Sequence, residues 1–137
     1  MAQTSESPEF PADDGRCPCT SGLVFGECCG PVVRGIRPAP TAVQLMRSRF
    51  TAFAIGLPAH LLATWHTSTR PTGLDLDPGL RWFRLDILRT ELGGPLDRTG
   101  VVEFEASYRH DGERGVQHEV STFVREAGRW FYVAALD

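Results

Sequence analysis

Four cysteines carry the clearest chemistry in this chain, and all fall within Cys17-Pro18-Cys19-Thr20-Ser21-Gly22-Leu23-Val24-Phe25-Gly26-Glu27-Cys28-Cys29. The spacing is C-x-C-x8-C-C. In an extended limb, residues two apart point to one side, so Cys17 and Cys19 can aim both sulfurs at one point. Pro18 stiffens that limb. Ser21-Gly22 and Gly26 let the chain return, and Cys28-Cys29 close the set. Four thiolates with no evident open position match a closed, structural zinc site better than a catalytic one. One structural Zn2+ on Cys17, Cys19, Cys28 and Cys29 is therefore the expectation, with Arg16 and Arg34 placed to offset part of the thiolate charge. Disulfides and redox thiols are the competing readings. No secretory leader pattern precedes the cysteines, and the usual C-x-x-C redox spacing is absent.

The elements that must position these sulfurs follow from the rest of the chain. Met1–Gly15 is acidic, polar and proline-bearing, and reads as a disordered tail (1–15). The knuckle (16–35) is too small to fold on burial alone, so a metal must hold it, apart from the sheet behind it. Pro31–Pro40 reads as a linker or extended arm. Thr41 is a helix N-cap candidate. Leu45, Met46, Phe50, Phe53 and Ala54 then recur at three- and four-residue steps up to Gly56, which marks one buried helical face. Arg47 is read as solvent-facing and Arg49 as lying at the stripe's edge. Pro58 starts a second short helix with Leu61, Leu62 and Trp65 inward.

From Leu80 the period changes to two. Phe83, Leu85 and Ile87 alternate with Arg84 and Asp86, and Val102, Phe104, Ala106 and Tyr108 with Glu103, Glu105 and Ser107. His110-Asp111-Gly112 and Glu126-Ala127-Gly128 are turns, around a third strand at Val116–Arg125 and a fourth at Arg129–Ala134. Two helices before four hairpin-linked strands predict an α+β domain (36–137) with helices on one face of an antiparallel sheet.

The cysteine segment resembles the SEC-C motif, C-x-C-x-S-G-x5-C-[CH], a zinc knuckle also found at the C-terminus of the SecA translocation ATPase. Cys17, Cys19, Ser21, Gly22, Cys28 and Cys29 match it position by position. Thr20 stands where that motif usually has Gly, and Leu23–Glu27 lacks the lysines of the translocase version. Arg34-Gly35, Pro38–Ala42, Leu45–Phe53, Leu61–His66 with Arg70-Pro71, Phe123–Glu126 and Gly128–Val133 extend the likeness. Together they are similar to the YchJ-like, or UPF0225, family of bacterial proteins of unestablished role. The resemblance implies an NTF2-like (cystatin-like) roll of helices on a curved sheet, behind one zinc knuckle. Such rolls usually have three helices; here the third is missing or reduced to a turn near Thr67–Leu74.

A roll of this kind often encloses a cavity. Trp65, His66, Arg70 and Glu119 are the candidate pocket residues. His66 and Glu119 would make a proton-transfer pair; the plainer reading has His66 capping a helix and Glu119 pairing with Arg47, Arg49 or Arg70. The pattern of the third strand allows two registers, one with Val120 and Val124 inside and one with Glu119, Ser121 and Phe123 inside; Phe123, as the largest apolar side chain of the strand, favours the second. Trp82 and Trp130 read as core or rim aromatics, and Glu103 with Glu105 as a solvated face. No Ser-His-Asp set, phosphate loop or catalytic metal pattern occurs, so enzymatic activity is left open.

A chain of 137 residues holds one domain and an appendage, and its formal charge of -3 argues against nonspecific nucleic-acid binding. No apolar run approaches the roughly 20 residues that span a bilayer. The expectation is a soluble, cytoplasmic bacterial protein. Two roles follow. The knuckle is a structural or protein-docking module, or the roll holds a small-molecule or enzymatic cavity that zinc merely staples. An interior filled by Phe50, Phe53, Leu85 and Phe104 would remove the second. A homodimer through the exposed sheet face is an arrangement the resemblance allows.

Overall fold

The computed structural model describes residues 10–136. In chain order it contains a helical turn α1 (Gly30–Val33), a long helix α2 (Ala42–Ile55), a short helix α3 (Pro58–Ala63) and strands β1 (Leu80–Leu92), β2 (Thr99–His110), β3 (Glu113–Glu126) and β4 (Arg129–Ala135). The strands form one antiparallel sheet in the order β1-β2-β3-β4. Two-residue turns link the later strands, with both central residues at positive φ: Asp111 (53°) and Gly112 (82°), then Ala127 (53°) and Gly128 (78°). That geometry matches the right-handed twist of the strands it joins.

Thr41 caps α2 by accepting a bond from the Gln44 N–H at 3.1 Å, and Gly56 ends it at φ 83°. Pro58 opens α3, as its missing N–H permits. The third helix is reduced to a turn, at Thr67–Thr69. α2 lies on the sheet and contributes Ala42, Leu45, Met46 and Phe50 to a core completed by Leu85, Val102, Phe104, Ala106, Phe123 and Trp130. The inward register of β3 is the one that Phe123 favoured: Phe123 and Ser121 are buried and Glu119 shares their face. The opposite face is solvated, with Glu103 taking Arg89 at 3.0 Å and His118 at 2.7 Å.

Four expectations need correction. Phe83 points outward and Trp82 inward, because a bulge between Trp82 and Arg84 inserts an extra residue and flips the alternation. The arm from Pro31 begins as helix α1, since Pro31 sits at the first turn where no N–H is required. Arg47 is not solvent-facing; it reaches the knuckle. Of the predicted tail, residues 1–9 lie outside the described residues, but Phe10–Gly15 packs on the knuckle. Gly26 N–H donates to Asp13 O (2.9 Å) and Arg34 pairs with Asp13 (2.9 Å).

His60 on α3 accepts or donates a 3.0 Å bond with Ser48 of α2. Burial, reinforced by the nearby Arg49 charge, pushes its pKa from 6.5 down to about 4. Between those values the unfolded chain binds a proton on His60 that the folded chain does not, so this contribution to stability is lost as pH falls. The stability advantage of the wild type over His60→Gln should therefore shrink between pH 6.5 and 4. Urea midpoints of the two proteins, measured in parallel, read that difference directly.

Candidate metal centre and adjoining cavity

The knuckle folds back on itself through paired backbone bonds, Cys17 N–H to Leu23 O (3.0 Å) and Phe25 N–H to Gly15 O (2.7 Å). The first two cysteines lie on a turn, not on the extended limb expected, since Thr20 N–H donates to Cys17 O at 3.0 Å. Phe25 fills the knuckle's interior with no exposed surface. Gly30 passes so close that an added Cβ would lie 2.8 Å from Phe25 O, which explains a small residue directly after Cys29.

These turns bring all four Sγ atoms within 4.8 Å of one another. Cys19 and Cys28 are 3.6 Å apart and Cys28 and Cys29 4.0 Å. A tetrahedron with metal–sulfur bonds of about 2.3 Å has edges of about 3.8 Å, whereas a disulfide needs about 2.05 Å. The four cysteines are unbonded. Left to themselves the thiols share charge unevenly. Hydrogen bonding, chiefly with Cys17, holds Cys19 far below the ordinary thiol range and Cys28 at about 6, and pushes Cys29 well above it. A cation held by all four would remove that conflict.

Neither arginine expected to offset the sulfurs does so. Arg16 is exposed, and Arg34 lies over Phe10 and Phe25, 5.0 and 5.2 Å from their rings. Arg47 takes the role instead, with Nη1 3.2 Å from Cys19 O and 3.7 Å from Cys19 Sγ. Its place on α2 was legible, but which way it faced was not.

The knuckle does not stand apart from the sheet. Cys17, Cys19 and Cys29 belong to the same buried cluster as Leu45, Phe50 and Leu85. Cys17 Sγ meets Thr51 Oγ1 of α2 at 3.8 Å. Thr20 has φ 60°, a conformation that favours glycine, which accounts for the residue usual at this motif position. Its hydroxyl, however, accepts from Leu85 N–H at 3.1 Å, and its single proton lies between Cys19 O at 2.6 Å and Leu85 O at 3.1 Å. One side chain thus satisfies part of the open edge of β1.

On the other side of α2 lies a cavity of about 300 Å³, lined by Met46, Arg49, Phe50, Phe53, Trp65, Trp82, Phe104, Ala106, Gln117, Glu119, Ser121 and Tyr132. The interior is therefore not filled by Phe50, Phe53 and Phe104. Of the four predicted pocket residues, Trp65 and Glu119 line it. His66 turns away, bonding Glu126 at 3.0 Å and Ser68 at 2.7 Å, and Arg70 is exposed on the following loop. The His66–Glu119 proton-transfer pair does not form, because the chain leaving α3 pairs with β4 at Tyr132 and carries His66 to the outer end of the sheet. Glu119 instead accepts from Gln117 and, at 3.4 Å, from Ser121.

Arg49 is the cavity residue that sequence reasoning undervalued. It is 3% exposed, and Nη1 donates to Leu61 O and Thr64 Oγ1, each at 2.8 Å. Its guanidinium lies 5.0 Å from the Trp65 ring centre and 4.5 Å from that of Tyr132. Desolvation lowers its pKa to about 10. The signal was present: Arg49 falls three residues after Met46 and four before Phe53, inside the apolar stripe.

Thr20 separates two effects in one position. Thr20→Val keeps the strained, β-branched backbone and loses both contacts to Leu85, so metal-loaded protein should lose roughly 1–3 kcal/mol in urea denaturation. Thr20→Gly loses the same contacts but relieves about 1–2 kcal/mol of left-handed strain, and should stay near the wild type.

A model of the YchJ middle NTF2-like domain matches residues 41–135. A UPF0225 protein of Corynebacterium glutamicum is 54% identical over 117 residues, covering 85% of this chain and 93% of its own. One from Streptomyces coelicolor is 49% identical over 116 residues, covering 85% and 90%. The solution structure of a SEC-C motif containing protein from Rhodopseudomonas palustris superposes with a TM-score of 0.77 at 30% identity, over 87% of this chain and 95% of that one. The crystal structure of a SEC-C motif containing protein from Psychrobacter arcticus shares the fold, with a TM-score of 0.73 at 24% identity over 89% and 82%. The chain thus belongs to the UPF0225 family, an NTF2-like roll of the YchJ type set behind a four-cysteine knuckle.

Proposed function

We propose that this protein is a small-molecule-binding roll whose knuckle holds one structural zinc ion through Cys17, Cys19, Cys28 and Cys29. The observation that carries the binding role is the Trp65 indole N–H: it is buried without a hydrogen-bond partner among the described residues, on a residue that lines the cavity. Buried donors without partners are uncommon and costly, and one beside a void is suited to a ligand. Zinc supplies a fixed charge and a crosslink, not a reaction. The sulfurs are too close together to surround an iron–sulfur cluster, and a closed four-thiolate set leaves no position for substrate. Docking through the knuckle has less support. Leu23 is the exposed large apolar side chain within it, with Phe10 and Ile36 exposed beside it, and scattered exposed apolar residues are ordinary.

Two measurements test the halves of this reading. Metal analysis of freshly purified, reduced protein should give one zinc per chain, and Cys28→Ser combined with Cys29→Ser should abolish it and lower the melting temperature. Metal-free wild type that melts unchanged with chelator would refute the structural zinc. For the cavity, NMR titration with the neutral probe benzyl alcohol should shift the Trp65 indole N–H, saturably, in the wild type. Ala106→Phe, which fills the cavity, should remove that response while the protein stays folded. Equal responses in both proteins would reject the cavity as the site.

A further inference from the structure

We infer that the cavity takes a small, mainly apolar molecule bearing a single carboxylate, received by Arg49 and Trp65. The inference rests on the cavity being a ligand site and adds the chemistry of the ligand. Arg49 is buried, yet it forms no salt bridge among the described residues. Its Nη1 is committed to Leu61 O and Thr64 Oγ1, where it satisfies the C-terminal end of α3. Among the described residues the Nε–H and the Nη2 donors take no partner. Glu119, across the same cavity, acts favourably on this cation without forming an ion pair, so part of the desolvation cost remains beside what the aromatic faces offset.

The unpartnered Trp65 N–H stands beside it, the Arg49 guanidinium lying over the Trp65 ring at 5.0 Å. Arg49 and Trp65 thus stand side by side on the cavity wall, the indole N–H itself covered from the open space. A planar guanidinium fork matches a carboxylate, and the indole supplies one more donor. The remaining walls are Met46, Phe50, Phe53, Trp82 and Phe104, which suit a hydrocarbon or aromatic body. Its volume of about 300 Å³ is at the small end for ligand pockets, so that body is near one ring or a short chain. Glu119 also lines the cavity, with its carboxylate held by Gln117 and Ser121. Its charge already offsets part of that of Arg49, the cavity's one arginine, so a ligand can bring at most a single negative charge. Phosphomonoesters and dicarboxylates are thereby disfavoured against monoanions.

The test is an NMR titration of the zinc-loaded full chain with phenylacetate, 3-phenylpropionate, hexanoate and indole-3-acetate, each beside its primary amide, with phenyl phosphate as the dianion. At least one carboxylate should saturate with shifts at the Trp65 indole and Arg49 Nε–H. It should bind about tenfold or more tightly than its amide, the scale of a charge-assisted hydrogen bond. Trp65→Phe removes the N–H together with one ring of the indole and should weaken the acid more than the amide; Ala106→Phe should abolish both. Acid and amide binding alike, or tighter binding of phenyl phosphate, would overturn the carboxylate assignment and leave the cavity reading standing. So would binding of benzyl alcohol with no response to any acid. Absence of response to every molecule would remove both. Acid binding that survives both variants would place it elsewhere and reject the inference.

Discussion

Helix α2 is enclosed on nearly every side, and the rest of the molecule follows from that constraint. The sheet takes Leu45, Met46 and Phe50, while the knuckle meets Thr51 and Arg47. α3 takes Ser48, Arg49 and Ala52. A helix so enclosed cannot follow a simple two-faced pattern, since its polar side is not free to meet water. Its buried polar residues are therefore short or fully engaged. Ser48 returns a bond to Leu45 O at 2.8 Å and Thr51 faces a cysteine sulfur. Arg49, the one long charged side chain buried there, is held at one nitrogen, and among the described residues its others take no partner.

This enclosure makes the knuckle part of the domain's core. Cys17, Cys19 and Cys29 are almost fully buried, and Phe25 extends the apolar cluster beneath them. Four sulfurs brought this close without a cation would oppose the packing that gathers them, because burying several thiolates together is electrostatically unfavourable. A bound divalent ion would turn that opposition into a crosslink between the two limbs of the knuckle, which packs on α2 and the β1 edge. Thr20 shows how closely the two parts are joined. A strained backbone position is retained where the hydroxyl meets both polar groups of Leu85.

The cavity lies on the opposite flank of the same helix and owes its shape to irregularities. Bulges between Trp82 and Arg84, between Ile87 and Arg89, and between Thr122 and Phe123 bend strands that are otherwise long and regular. The first sends Trp82 inward against Phe50, Phe53 and Tyr108, making a wall in place of a filled centre. Trp65 closes another side by pairing with Tyr132 on the β4 edge, ring centres 5.2 Å apart.

Much of this was written locally in the chain. The C-x-C-x8-C-C spacing identifies a converging sulfur set because the ligands are near in sequence and little else must be known to gather them. Helix and strand periods, the Thr41 cap, the Gly56 stop and the turns at Asp111-Gly112 and Ala127-Gly128 are likewise short-range effects, while the β3 register stayed open in the pattern and only the size of Phe123 leaned towards the one adopted. What lay beyond the sequence was whatever depended on distant neighbours. A one-residue bulge reversed Phe83 and Trp82, and the docking of α3 on β4 took His66 away from Glu119. The choice of Arg47 over Arg16 and Arg34 depended on α2 lying against the knuckle. Local spacing thus determined which elements form and which sulfurs meet. Tertiary packing decided which polar side chains are buried, because burial is a property of the surroundings and not of the segment.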